Sequence, residues 1–382
     1  MPNDALRYSR SMRVTRIHAF RALSFLALVS PAACSPGYVV RAGIEEAKIL
    51  SRRRPIPEVI ADPATSPETQ RKLRLVLEAR DFAERVLQLE AGDSYTTYSR
   101  VDSDTLLLVV TASRKDRFQA HTWWFPIIGH VPYKGFFDFA AARREAARLE
   151  QQGLDTQVRP SAAFSTLGWF NDPVLNTLLR SDDVGLVATV IHEIFHNSLF
   201  VPSHVAFNES LASFAGDRGA IAFFCTRDGP DSRLCAEARD AWHDTLVFGD
   251  FLTGLVRDLG SLYSRANLST DDKITRRTAV FDSARSHFDT HVQPRLRTSY
   301  RGWSHATLNN ATLIGTRLYY DRLDAFERVY DANDSDIVAA LEAIRAAVAD
   351  HDGDPWDALA RLAGHGSIDP GFTFSGSMIP IR

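Results

Sequence analysis

The sequence predicts an α+β fold, divided near residue 180 into a mixed helix and strand region and a mostly helical one. Three observations carry this expectation. Thr105 to Thr111 (Thr-Leu-Leu-Leu-Val-Val-Thr) is a short apolar run rich in β-formers, the pattern of a buried strand. The stretch from Val184 to Phe200 repeats apolar residues at helical period, at Val187, Val190, Ile191, Ile194 and Phe195. Beyond it helices dominate, and Asp336 to Ala349 and Trp356 to Leu362 close the chain as amphipathic helices.

Taken in order, the first 33 residues have the layout of a signal peptide. Arg7, Arg10, Arg13, Arg16 and Arg21 form a positive n-region, Ala22 to about Val29 is apolar, and Pro31-Ala32-Ala33 precedes Cys34. The apolar run is too short to span a bilayer, and no later segment offers the roughly 18 uncharged residues a transmembrane helix needs. Ala-Ala-Cys resembles a bacterial lipoprotein processing site, where Cys34 would become a lipidated N-terminus. Ser35 after it then points to the outer membrane, with the chain facing the periplasm. Such sites usually carry Leu, Ile or Val where this chain has Pro31, so plain cleavage to a soluble periplasmic protein is the alternative. The expected division is 1–33 signal peptide, 34–180 mixed region and 181–382 mostly helical region.

Within the mixed region, Tyr38 to Arg53 reads as a helix that stops before Pro55, and Glu68 to Leu89 as a second. Trp123 to Val131 reads as a strand broken at Pro126, Phe137 to Gln152 as a helix, and Thr156 to Ser165 as extended. Lys and Arg total 44 against 47 Asp and Glu, a balance that lacks the basic footprint of a nucleic-acid binder. Cys225 and Cys235 flank the turn signal Thr226-Arg227-Asp228-Gly229-Pro230. In an oxidising compartment that placement favours a disulfide.

Between Val184 and Phe200 the only ionisable side chains are His192, Glu193 and His196. On a helix this apolar they are costly to bury unless something pairs with them. A metal ion answers that. His192 and His196 stand at i and i+4, so both imidazoles lie on one face and reach one ion. Glu193 points about 100° round the helix, beside the ion, where it can take a proton from an activated water. This is the H-E-x-x-H arrangement of zinc proteases. Two histidines leave zinc one short of the usual three protein ligands. Glu209, in the first turn of a helix expected from Phe207 to about Phe224, is the favoured third. His204, in the intervening loop, is the rival. The longer H-E-x-x-H-x-x-G-x-x-H pattern does not fit, because Leu199 and Pro202 stand at its Gly and His positions.

These motifs belong to a wider set. Arg53-Arg54-Pro55-Ile56-Pro57-Glu58-Val59-Ile60, Tyr133-Lys134-Gly135-Phe136-Phe137 and Ser165-Thr166-Leu167-Gly168-Trp169-Phe170-Asn171-Asp172-Pro173 precede His192–His196. Phe207-Asn208-Glu209-Ser210, Leu308-Asn309-Asn310-Ala311 and Tyr319 follow it. Together they resemble the predicted aminopeptidase family of bacterial lipoproteins, which is similar to the gluzincins, the His-His-Glu zinc peptidases that include thermolysin. The resemblance implies a zincin-like catalytic unit with one Zn2+ on His192, His196 and Glu209, and Glu193 as base. It also implies a peptide laid along a strand formed by Ser165 to Trp169. Tyr319 is the candidate donor to the oxyanion, with Tyr320 beside it as a competitor. Two departures stand out. Trp124 and His130 occupy positions where the family often has cysteines, so Cys225–Cys235 would be a local substitute for that bridge. Ser213 occupies the place of the acid that orients a histidine in thermolysin-like sites, and Asp217 is the candidate to replace it.

The function expected from these residues is zinc-dependent hydrolysis of peptide bonds in the cell envelope, by an aminopeptidase in preference to an endopeptidase. Asp172 and Asp217 are the candidate anchors for a substrate ammonium. A catalytically inactive zinc-binding scaffold is the second reading, and a metal-free periplasmic binding protein the third. The presence of Glu193 argues against the scaffold, which needs no base there.

Overall fold

In the computed structural model, residues 43–44, 47–102, 105–125, 129–161 and 173–364 are described. The signal segment, Cys34, Ser165 to Trp169 and Asp172 lie outside them. The N-terminal half runs β1 (Arg54–Pro55), α1 (Ile56–Ala61), α2 (Pro67–Arg85), β2 (Thr97–Ser99), β3 (Leu107–Ser113), β4 (Trp123–Phe125), β5 (Gly129–Val131), β6 (Tyr133–Phe136), α3 (Phe139–Gln151), β7 (Asp155–Ser161) and β8 (Val174–Leu175). Helices then follow: α4 (Asp183–Ser198), α5 (Val205–Arg227), α6 (Arg233–Tyr263), α7 (Thr270–His287), α8 (Asn310–Arg317), α9 (Leu323–Ala332), α10 (Ile337–Ala349) and α11 (Pro355–Leu362). The α+β expectation holds: small sheets before residue 180 and helices after it.

Local chemistry sets the boundaries. Helix α2 starts at Pro67 because the Ser66 hydroxyl accepts the Thr69 N–H and proline suits the first helical position. It ends four residues before the expected Leu89. Gln88 takes a left-handed φ of 57°, which turns Leu87 and Leu89 into the core. Strand β3 starts two residues later than expected and runs on to Ser113. The Trp123–Val131 stretch forms two strands, β4 and β5, that pair antiparallel with Trp124 directly opposite His130. The two positions where the resembled family often has cysteines are therefore cross-strand partners.

Alternation along β3 organises the sheet. The order is β6-β3-β7, all antiparallel. Successive side chains point to opposite faces. Leu108, Val110, Ala112 and Phe136 turn to one face and bury against Ala142, Ala146 and Leu149 of α3. The register places Thr111 beside Tyr133 and Gln157, and Val109 beside Gly135 and Arg159, on the other face. That polar face meets the helices. Asp155 receives a two-pronged hydrogen bond from Arg277 of α7 (2.5 and 3.0 Å) and the backbone N–H of Asn310 at 3.0 Å. Asn309 caps α8 and donates to the Thr156 carbonyl. Fully buried Asn310 donates to the Arg114 carbonyl and accepts from the Tyr263 hydroxyl. The Asn309-Asn310 pair thereby fastens α8 to β3 and β7.

The largest core joins α1 and α2 to α4, α5 and α9–α11, so it crosses residue 180. Helices α4 and α5 cross closely because α5 has glycine at the contact. A Cβ on Gly216 would stand 2.6 Å from the Ala188 carbonyl oxygen and 3.1 Å from the His192 Cβ. A second core joins α6, α7 and α8. Cys225 and Cys235 form a disulfide between the end of α5 and the start of α6. Among the described residues, no helix is long and apolar enough to cross a membrane.

One buried carboxylate ties the connection between α7 and α8 to α6. Asp244 is fully buried and accepts the backbone N–H groups of Arg297, Thr298 and Ser299 at 2.7 to 3.0 Å. Burial alone would raise its pKa, but these bonds outweigh it and hold the carboxyl below its ordinary value. A depressed folded pKa stabilises above the unfolded value near 4, and that stability is lost as pH falls through the folded value. Asp244→Asn is therefore expected to lose about 1.5–3 kcal/mol at pH 7, and less at pH 3, as read by urea unfolding at both.

Candidate metal centre

Helix α4 begins where the Asp182 carboxylate accepts the Gly185 N–H at 2.7 Å. Asp183 in its first turn pairs with Arg71 at 2.7 Å and Lys72 at 2.8 Å, which holds α4 against α2. Leu186, Val187, Val190, Ile191, Ile194 and Phe195 are buried, leaving His192, Glu193 and His196 on the half-buried side. After α4, the Asn208 amide bonds both the N–H and the carbonyl of Val201 (2.9 and 2.8 Å), folding the loop back. Helix α5 starts at Val205, two residues earlier than expected. Glu209 consequently sits in its second turn, not its first.

Three donor atoms converge there. His192 Nε2 lies 3.3 Å from His196 Nε2 and 3.4 Å from Glu209 Oε2, and His196 Nε2 lies 3.8 Å from the same oxygen. Zinc bonds of roughly 2.0–2.1 Å in tetrahedral geometry separate ligand atoms by about 3.4 Å. The donor set and its spacing fit such an ion. Burial works against the charged form of both imidazoles, with opposite net outcomes. His196 is pushed down to about 4 by burial and by neighbouring His192. At His192 burial is outweighed by the Glu209 hydrogen bond and the charges of Glu193, Glu209 and Asp217, and its pKa rises. For Glu209 burial is outweighed by the His192 bond and the His196 charge, and its pKa falls.

The remaining sequence candidates separate clearly. His204 stands outside the donor group: it is the residue before α5, with Nδ1 2.9 Å from the Pro202 carbonyl. Ser213 donates to the Glu209 carbonyl at 2.8 Å, back onto its own helix. Asp217, two turns beyond Glu209, acts electrostatically on His192; burial pushes its carboxyl up to about 7, with His192 drawing it down. Ser210, next to Glu209, donates to the Leu318 carbonyl and accepts the Asp321 N–H, both at 2.9 Å. This holds the turn that carries the two tyrosines. The Tyr319 ring stands 6.2 Å from the His192 ring, whereas Tyr320 hydrogen-bonds Tyr300 at 3.0 Å. Burial and the Glu209 charge push Tyr319 up to about 12, so its hydroxyl is a donor at neutral pH.

Two residues at the centre escaped the reading of side-chain roles from sequence. Tyr133, on the polar face of β6, has its pKa raised by burial and by the charges of Glu209, Tyr319 and Glu193. Arg159, on the same face through β7, brings Nη2 to 3.5 Å from the Tyr319 hydroxyl. A signal existed in the alternation Asp155-x-Gln157-x-Arg159, which marks polar residues facing inward from one strand. Nothing local says what they face.

A half-buried His-His-Glu triad with a further glutamate between the histidines is a centre that could hold a metal ion. The chain belongs to the Aminopep family, described as "Putative aminopeptidase", whose match over residues 37–353 contains every residue of the centre. No curated protein and no solved structure matches the chain.

Proposed function

We propose that the protein is a zinc-dependent peptidase. The observation that carries this is the convergence of His192, His196 and Glu209 at tetrahedral spacing, with Glu193 adjacent in sequence yet outside the donor group. Family membership supports peptide hydrolysis, and the donor chemistry supports zinc. A bound zinc ion would supply Lewis acidity, polarising the scissile carbonyl and lowering the pKa of water. Glu193 removes the proton from the attacking water and passes it to the leaving amine. Tyr319, whose ring stands 6.2 Å from the His192 ring, would donate to the developing oxyanion, with Tyr133 as a second candidate donor. Metal analysis of the purified protein, with mass-spectrometric mapping of peptide-library cleavage, tests the reading. Zinc-free protein, or zinc protein without cleavage, would overturn it.

Aminopeptidase action is the preferred form, on the strength of the family. It requires a group that holds the substrate ammonium, since a buried unpaired charge is costly. Asp217 is the acid beside the triad that could serve. A peptide with a free N-terminus should be trimmed, and its acetylated twin, identical at the scissile bond, should not. Equal cleavage of both at internal bonds would make the enzyme an endopeptidase.

We also propose that the protein is held in the cell envelope by lipid on Cys34, supported by the Arg-rich n-region, the apolar run and Ala32-Ala33-Cys34. Cys34→Ser should move the protein from membranes to the soluble periplasmic fraction. Unchanged fractionation would favour plain cleavage.

A further inference from the structure

Arg159 is a cation with no assigned task beside the triad. It forms no ion pair among the described residues, and its buried Nε has no hydrogen-bond partner. The contact of Nη2 with the Tyr319 hydroxyl is long, at 3.5 Å, and the guanidinium carbon lies 5.9 Å from the Tyr319 ring, near the limit of a cation–π contact. Neither compensates for partly burying a charge. Glu209 feels Arg159 electrostatically, but the two form no ion pair among the described residues. A guanidinium presents a planar fork of donors that fits a carboxylate bidentately. Tyr319 bridges the distance: its ring faces His192 on one side and its hydroxyl meets Arg159 on the other. A group held by Arg159 therefore lies one side chain from the metal centre.

We propose that Arg159 binds a carboxylate of the substrate next to the scissile bond, either an Asp or Glu side chain or the α-carboxylate of a short peptide. The proposal rests on the peptidase reading above. It assigns a specificity-determining role to a residue which that reading does not use.

The test compares two metal-chelating probes of equal length, succinic monohydroxamate and butyrohydroxamate, by calorimetry on the zinc-loaded protein. The carboxylate probe is expected to bind about ten- to hundredfold tighter, the range of a charge-assisted hydrogen bond. In Arg159→Gln that ratio should fall to about one, and Arg159→Lys should retain part of it. A ratio near one in the unaltered protein, or a ratio surviving in Arg159→Gln, would overturn the proposal while leaving the peptidase reading intact. Binding of neither probe would overturn the metal reading and the proposal with it. Turnover then separates the two carboxylate sources. Leu-Glu-amide against Leu-Gln-amide reads a side chain, and Leu-Leu against Leu-Leu-amide reads the terminus. One pair should show at least about a tenfold preference that Arg159→Gln removes. A preference in neither pair would also overturn the proposal.

Discussion

Replacing Glu193 with Gln is expected to leave zinc bound and to slow peptide hydrolysis by roughly 10²–10⁴-fold, the range of a positioned general base. Glu193 precedes Ile194 on the helix that presents both histidines, yet among the described residues the donor group consists of His192, His196 and Glu209. Glutamine keeps the size and half-buried packing of the side chain but cannot accept a proton from water. Metal content and kcat measured on one preparation provide the check. A variant that loses zinc would make Glu193 a ligand. A variant that turns over normally would remove the base from the mechanism.

Glu209→Ala is expected to weaken zinc binding by more than about 100-fold, because losing even an outer-shell partner of a ligand costs 10- to 100-fold. The same substitution at His204 should leave zinc affinity unchanged, since that ring is turned to the Pro202 carbonyl. Competition against a chelator of known affinity reads both. Ser210 and the packing of α5 do not depend on the Glu209 carboxylate, so Glu209→Ala should fold. If zinc affinity follows His204 instead, the third ligand is misassigned.

The two histidines and Glu193 are legible in the sequence because α4 is apolar everywhere else. Three ionisable groups on a helix with a continuous buried face require a partner, and i, i+4 spacing names it. Glu209 is legible for a similar reason, since α5 follows after one short loop. Its exact turn was not, because the Asn208 side chain draws the loop back and starts the helix early. Tyr133 and Arg159 belong to strands whose extended character is readable. Which face meets the triad depends on Asn309 and Asn310 fastening α8 to the sheet, and no local pattern encodes that. Tyr319 and Tyr320 are likewise indistinguishable by spacing. Hydrogen bonds from Ser210 to both ends of their turn decide which of them faces the histidines.

The His-His-Glu group and the residues that surround it have very different contact orders. His192, His196 and Glu209 come from one helix–loop–helix unit packed through Gly216, whereas Arg159 and Tyr319 meet across a sequence separation of 160. Local contacts form early in folding, and long-range pairings wait for loop closure. If the centre binds a metal, the α4–α5 hairpin would be the first part of the chain able to take it up, and bound metal would favour the native hairpin by mass action. The proposed activity would then wait for the sheet to dock on α8 and bring in Tyr133. If the proposed function holds, metal uptake is expected to precede the onset of hydrolysis when this chain refolds.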